Sequence, residues 1–140
     1  MKRNIVILLL LFALTIVISC VPTLYNLEDR TGGYGETQID KNVWKVYFSF
    51  NQHTTDERAL NYLRLRCAEL TIHNEFQYFQ ISNLETNPKQ TLTKSGEDFY
   101  SSKQQSKSCV IACFKDKPEK GTFSDAKEII KSIKNKYNIP

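Results

Sequence analysis

Alternating and helical patterns of apolar residues divide the chain into successive elements. Residues 43–50, VWKVYFSF, alternate between apolar and polar side chains, which predicts a β-strand. Residues 34–40 precede this strand across a turn at Lys41 and Asn42, and the arrangement is typical of a β-hairpin. The second strand places on one face the residues that we expect to form the core: Trp44, Val46, Phe48 and Phe50.

Two segments have the three-to-four spacing of amphipathic helices. The first helix is predicted to run from about Thr55 to His73, because Thr54 and Glu57 have the spacing of a capping box at its start. The second helix is predicted to follow a Ser124 cap and to carry lysines opposite its apolar face. The predicted inward residues of both helices are Ala59, Leu60, Leu63, Cys67, Leu70, Ala126, Ile129, Ile130, Ile133 and Tyr137.

Two more strands are predicted between these helices. Residues 76–82 are rich in aromatic and β-branched side chains, and residues 107–115 are apolar on both faces, as in a central strand. Residues 83–106 between them are mostly polar and predict a long loop that is either mobile or functional. The order ββαββα therefore predicts an α+β two-layer sandwich, in which a mainly antiparallel sheet of about four strands has two helices on one face.

The first twenty residues have a different pattern. Lys2 and Arg3 precede an apolar run of fourteen residues, Ile5 to Ile18, which is the length of a signal-peptide core. A membrane-spanning helix needs roughly 20 apolar residues. The run ends in VISC, which resembles the bacterial lipobox, so Cys20 is predicted to be acylated and to become the mature N-terminus. An uncleaved signal anchor and an ordinary cleaved signal peptide are the alternatives.

This leader defines the predicted organisation and location of the protein. We expect a lipoprotein signal peptide over residues 1–19, a lipidated tether over 20–33 and a single domain over 34–140. Loss of Lys2 and Arg3 lowers the formal charge from +4 to +2, which gives no indication of a nucleic-acid partner. Val21, rather than aspartate, follows Cys20, and by resemblance to the lipoprotein sorting rule this favours the periplasmic side of an outer membrane.

Three cysteines remain in the predicted domain. Cys109 and Cys113 share one face of a strand but lie about 13 Å apart, which is too far for a disulfide or a common zinc ion. Cys67 lies on the helix above the sheet, where we place its Cα about 8 Å from theirs. We therefore interpret all three as buried, reduced thiols that act as small apolar residues.

The candidate chemistry of the chain is sparse. Arg66 and Glu69 lie three residues apart on the first helix, where they form either a surface ion pair or part of a polar site. No Ser/His/Asp spacing, phosphate-binding glycine loop or HExxH motif occurs, and we predict neither a metal nor a cofactor. The alternative is a hydrolase-like envelope enzyme whose site combines scattered residues such as Arg66, Glu69 and Asp40.

The sheet face opposite the helices is the predicted interaction surface. Tyr47 and Tyr78 are expected there, and tyrosine suits an interface because its ring can be buried while its hydroxyl stays hydrated. A protein partner or a second copy of the chain would bind this face, unless the 83–106 loop or the 21–33 tether folds back over it. A third alternative is that the lysine face of the last helix contacts anionic headgroups.

Several short motifs resemble a family of short bacterial lipoproteins of unknown activity. The family features are a Gly-Tyr start, an aspartate before the second strand, an Arg-x-Ala-Glu-x-Thr helix end, an aromatic pair in the next strand and an Asp-Ala start of the last helix. A glycine usually precedes the aromatic pair, but here Glu75 stands near that position. The matching positions are Gly33, Tyr34, Asp40, Asn51, Thr54, Arg66, Ala68, Glu69, Thr71, Tyr78, Phe79, Asp125 and Ala126.

Taken together, the leader and the lack of a catalytic motif predict a membrane-anchored bacterial envelope lipoprotein. We expect the bilayer, bound through acylated Cys20, to be its first partner, and we expect a binding or assembly module rather than an enzyme. The resemblance implies the same location and adds no activity.

Overall fold

A computed structural model describes residues 21–95 and 98–140 of the chain. The predicted signal peptide and Cys20 lie outside the described residues. The predicted fold class is confirmed, because the fold is an α+β arrangement of an antiparallel sheet and two helices. The sheet has five strands instead of about four, in the order β1-β2-β4-β3-β5. The elements are β1 (Gly33–Asp40), β2 (Val43–Phe50), α1 (Asp56–His73), β3 (Tyr78–Ser95), β4 (Asp98–Phe114), β5 (Ser124–Asp125) and α2 (Ala126–Tyr137).

The core lies between α1 and one face of the sheet. In β2, alternation places Trp44, Val46, Phe48 and Phe50 on this face, as predicted, and all four are buried. The antiparallel register aligns Val46 with Cys109 of β4, so the inward set of β4 is the one that contains Cys109. The residues of β3 and β4 that complete the buried face are Phe79, Cys109, Ile111 and Cys113.

The first helix is capped at both ends, although its N-cap differs from the prediction. The Thr55 side chain accepts the Arg58 N–H, whereas the Thr54 hydroxyl accepts a bond from the N-terminal segment. At the other end, Phe76 N–H donates to Thr71 O and Glu75 N–H donates to Ile72 O, which is a Schellman motif. Glu75 has a φ of 63°, so the position near which the resemblance expects glycine adopts the left-handed conformation that glycine favours.

The predicted loop over residues 83–106 is wrong. The structure pairs residues 85–95 of β3 with 98–108 of β4, so most of this stretch is a β-ladder. Beyond Pro88, β3 and β4 pair with each other only, among the described residues, and form a two-stranded ribbon. The prediction failed because the mostly polar sequence of residues 83–106 lacks the alternation of apolar and polar side chains that indicates a strand. A bulge at Asn83, whose φ is 49°, separates the ribbon from the packed part of β3.

The predicted tether over residues 20–33 is also wrong in its described part, because residues 21–33 pack against the domain. Thr23 is buried, and its N–H donates to the Thr54 hydroxyl at 2.8 Å. Its own hydroxyl accepts the Asn51 N–H at 3.0 Å. Farther along, Tyr34 N–H donates to Asn26 O and Glu28 N–H donates to Tyr34 O, which adds a short parallel bridge at the edge of β1. The domain therefore includes residues 21–33.

The last helix packs against α1 and begins at the sheet edge. Its N-cap is Asp125, whose carboxylate accepts the N–H groups of Lys127 and Glu128, whereas Ser124 was predicted as the cap. Residues Ser124 and Asp125 instead pair with Phe79 and Tyr78 as the short strand β5.

Candidate functional site

The predicted pair Arg66 and Glu69 belongs to a larger cluster of polar side chains between α1, β1 and the N-terminal segment. The guanidinium of Arg66 donates two hydrogen bonds to the Glu36 carboxylate, at 2.9 and 2.5 Å. It also lies 4.5 Å from the ring centroid of Tyr34. Glu69 is more distant, at 3.7 Å from the nearest Arg66 nitrogen. The main partner of Arg66 is therefore a strand residue rather than its neighbour on the helix.

The N-terminal segment completes this cluster through Tyr25. The Tyr25 hydroxyl donates to the Glu69 carboxylate at 2.6 Å, and its ring lies 4.8 Å from the ring of Tyr34. Burial and the adjacent carboxylate together raise the pKa of Tyr25 well above the ordinary tyrosine value, because both disfavour the phenolate. The other carboxylate oxygen of Glu69 lies 3.4 Å from the Lys134 ammonium of α2. Glu69 thus joins three segments of the chain.

The charges of this cluster are largely matched. Two carboxylates, Glu36 and Glu69, face two cations, Arg66 and Lys134, and the hydrogen bonds that Arg66 donates to Glu36 raise the pKa of Arg66. The side chains of Arg66 and Glu36 are 21% and 23% exposed, so both are partly screened by water. A general base needs a carboxylate that is not already committed to a cation. The arrangement therefore suits a structural network better than proton transfer.

Sequence reasoning found only part of this cluster. Arg66 and Glu69 were identified from their helical spacing, but Glu36 and Tyr25 were missed. The signal for Glu36 was available, because alternation along β1 places it on the same face as Tyr34, beneath the helix. A carboxylate on that face requires a cation opposite it. Tyr25 gave no such signal, because the segment that contains it has no regular period.

Asp40, the third residue of the proposed enzyme site, does not join the cluster. It lies at the end of β1, four residues beyond Glu36, which corresponds to about 13 Å along a strand. Its carboxylate accepts the Lys41 N–H in the hairpin turn. A cavity of about 310 Å³ lies near the cluster, but neither Arg66 nor Asp40 lines it. The lining residues are Leu27, Glu28, Tyr34, Gly35, Glu36 and Tyr47.

Tyr47, a predicted interface residue, lies on the open face but is half covered. Its hydroxyl donates to the Glu28 carboxylate at 2.8 Å, and Ser49 donates to the same carboxylate at 2.7 Å. The Tyr47 ring lies directly over Gly35, where a Cβ atom would come within 2.3 Å of its hydroxyl oxygen. The carboxylate raises the pKa of Tyr47, since it accepts a hydrogen bond from the neutral phenol. The N-terminal segment therefore folds over this end of the open face.

Tyr78, the second predicted interface residue, lies far from Tyr47. Strand β4 separates β2 from β3, and the positions opposite the two tyrosines, Ser108 and Phe114, are about 20 Å apart along β4. The Tyr78 ring contacts the Phe123 ring edge-on at 6.0 Å. The structure thus places the two tyrosines at opposite ends of the open face, each with a partner inside the domain. A protein partner on the area between them stays a prediction.

The three cysteines of the domain are free and buried. The sulfur atoms of Cys67 and Cys109 lie 3.6 Å apart across the helix–sheet interface. Burial raises the pKa of the Cys67 thiol. Cys113 contacts the Thr71 hydroxyl at 3.4 Å.

Within residues 21–95 and 98–140, no three His, Cys, Asp or Glu side chains are grouped as a metal ion would require. No helix in that part of the chain has the length and apolar character needed to cross a bilayer. No protein-family model, curated protein or solved structure matches this chain.

Proposed function

We propose that this chain is a membrane-anchored bacterial envelope lipoprotein, and that its domain is a binding or assembly module rather than an enzyme. The observation that carries the anchor is the lipobox-like run VISC that ends at Cys20, and the docked N-terminal segment then holds Val21 at a fixed point on the domain. The Asn51 side chain donates to Val21 O at 3.0 Å, one residue after Cys20. Acyl chains on Cys20 would therefore hold the domain against the bilayer with little free chain between them.

The leader supports this proposal independently of the domain. Two or three acyl chains retain a protein on a bilayer essentially permanently, since each buried CH₂ contributes about 0.8 kcal/mol. A domain that is anchored in this way needs no membrane-crossing element of its own. The resemblance of Gly33, Tyr34, Asp40 and the Arg66–Thr71 motif to short bacterial lipoproteins points to the same location, on the outer membrane where the host has two membranes.

The non-enzymatic part of the proposal rests on the polar cluster. Every charged group at its centre has a partner of opposite charge within the domain, and Tyr25 is held in its neutral form. A catalytic acid or base would have to lose a structural contact in order to react. The hydrolase-like alternative needs Arg66, Glu69 and Asp40 to converge, but Asp40 belongs to a distant turn.

Metabolic labelling with a radioactive fatty acid tests the anchor. We expect the wild-type chain to incorporate the label and Cys20→Ala to incorporate none. Cys67→Ala is the matched control, because it removes a thiol that is buried in the domain, and it should be labelled like the wild type. Equal labelling of wild type and Cys20→Ala would end the lipoprotein proposal.

A further inference from the structure

Large apolar side chains that are exposed to solvent are concentrated directly after Cys20. Among the side chains that the structure describes, five large apolar ones are more than half exposed. Three of the five occur within seven residues: Val21 at 51%, Leu24 at 68% and Leu27 at 67%. The other two, Ile39 and Leu84, lie on β1 and β3. The N-terminal segment therefore exposes three aliphatic side chains within seven residues, which together we call the aliphatic strip.

The aliphatic strip faces outward because other residues of the same segment face the domain. Thr23 is buried between Thr54 and Asn51, and Tyr25 packs against Tyr62 with ring centroids 5.4 Å apart. The Glu28 side chain reaches across the edge strand to the open face of the sheet. These contacts fix the backbone, so Val21, Leu24 and Leu27 cannot turn inward without breaking them.

We propose that the aliphatic strip inserts into the bilayer that holds the acyl chains of Cys20, which orients the domain with its β1 edge on the membrane. This inference rests on the proposed function, since it needs Cys20 at the surface of a bilayer. Leu24 and Leu27 lie four and seven residues after Cys20, which is at most about 14 and 25 Å of extended chain. Apolar side chains of peripheral proteins enter the headgroup boundary by about 5–10 Å.

The residues of the aliphatic strip favour contact with the apolar part of the bilayer over contact with its anionic headgroups. The strip consists of aliphatic residues, whereas a headgroup site requires exposed lysines and arginines. Two lysines of the competing surface on α2 are already paired within the domain, Lys134 with Glu69 and Lys136 with Glu57. Full transfer of one leucine side chain out of water favours the bound orientation by about tenfold or more. The contact between the aliphatic strip and the bilayer should therefore persist at high salt.

Site-directed labelling of the full, acylated chain tests this inference. Leu24→Cys and Leu27→Cys would each carry a polarity-sensitive fluorophore, and the protein would be reconstituted in phosphatidylcholine–phosphatidylglycerol vesicles. The native thiols Cys67, Cys109 and Cys113 are at most 1% exposed, so the folded chain takes up label only at the new site. Leu84→Cys is the control, because Leu84 is also a leucine that is more than half exposed, at 53%, and it lies near the opposite edge of the sheet.

We expect blue-shifted emission at positions 24 and 27, together with quenching by nitroxide-labelled lipids at least threefold stronger than at position 84. Both signals should survive 0.5 M salt. Emission and quenching at positions 24 and 27 equal to those at position 84 would overturn the inference. Loss of both signals at high salt would also overturn it, because it would mean that headgroup charge seats the domain. Fatty-acid incorporation is measured on the same samples, so a missing anchor, which refutes the proposed function, is told apart from a wrongly oriented domain.

Discussion

At the scale of single residues, the hydrogen bond from Tyr25 to Glu69 attaches the N-terminal segment to α1. Tyr25→Phe removes this bond and keeps the ring that packs against Tyr34 and Tyr62. Because the acceptor is charged, we expect the free energy of unfolding to fall by about 1.5 kcal/mol at pH 7. Urea denaturation at pH 7 measures this loss. No change in the midpoint would mean that the segment is not held by this contact.

The raised pKa of Tyr25 adds a pH dependence to the same variant. Below the unfolded value near 10, Tyr25 is neutral in both states and the stabilisation is fully present. Above pH 10 the unfolded chain loses this proton while the folded domain retains it, so the stability of the wild type falls. The difference between wild type and Tyr25→Phe should therefore shrink as the pH rises from 9 to 11. A difference that grows over this range would contradict the contact.

The ion pair of Arg66 and Glu36 separates the structural interpretation from the catalytic one. Arg66→Lys cannot make the two parallel hydrogen bonds, so we expect a loss of about 1 kcal/mol in the free energy of unfolding. A double-mutant cycle with Glu36→Gln should give a favourable coupling energy of similar size. Zero coupling, with unchanged stability in each single variant, would favour the polar-site alternative, because residues used for function need not stabilise the fold.

At the scale of elements, the end of α1 contains a residue whose backbone conformation suits it poorly. Glu75 has a positive φ and an exposed side chain, and it lies in the Schellman motif that leads to Phe76. Glu75→Gly should raise the free energy of unfolding by about 0.5–1 kcal/mol, because it relieves the conformational cost of the left-handed region. His73→Gly is the control, since the same change at the last residue of the helix should destabilise the domain, because glycine is a poor helix former. Thermal unfolding of both variants measures the difference, and a destabilising Glu75→Gly would contradict the helix end described above.

Helices and packed strands were predictable from the sequence, because they bury one face and thus impose a period on the chain. Residues 43–50 and 56–73 follow their periods, and both elements lie close to the predicted bounds. The ladder formed by residues 85–95 and 98–108 has no alternation of apolar and polar side chains, so its sequence has no period to detect. Only its β-branched residues, such as Thr86, Thr91 and Thr93, indicated a strand.

At the scale of the whole molecule, the docking of residues 21–33 was the feature least visible in the sequence. This segment packs through single side chains, Thr23, Tyr25 and Glu28, rather than through a repeating face. Its Pro, Gly and charged residues are typical of a flexible linker, although the side chains between them make specific contacts with the domain. Only part of the polar cluster was predicted from the sequence for the same reason, since two of its members come from parts of the chain that are distant in sequence. Long-range pairing of this kind leaves no local pattern.

Residues 21–33 are either a docked part of the domain or a free tether, and the position of the domain relative to its predicted anchor depends on which of the two they are. Amide hydrogen exchange of the full chain, followed residue by residue, tests this directly. We predict protection at Thr23, Glu28 and Tyr34, whose N–H groups donate to Thr54 Oγ1, Tyr34 O and Asn26 O, at least a hundredfold above free-chain rates. Exchange at these three amides as fast as in an unstructured peptide would contradict the docked segment, and with it the fixed position of the domain next to its anchor.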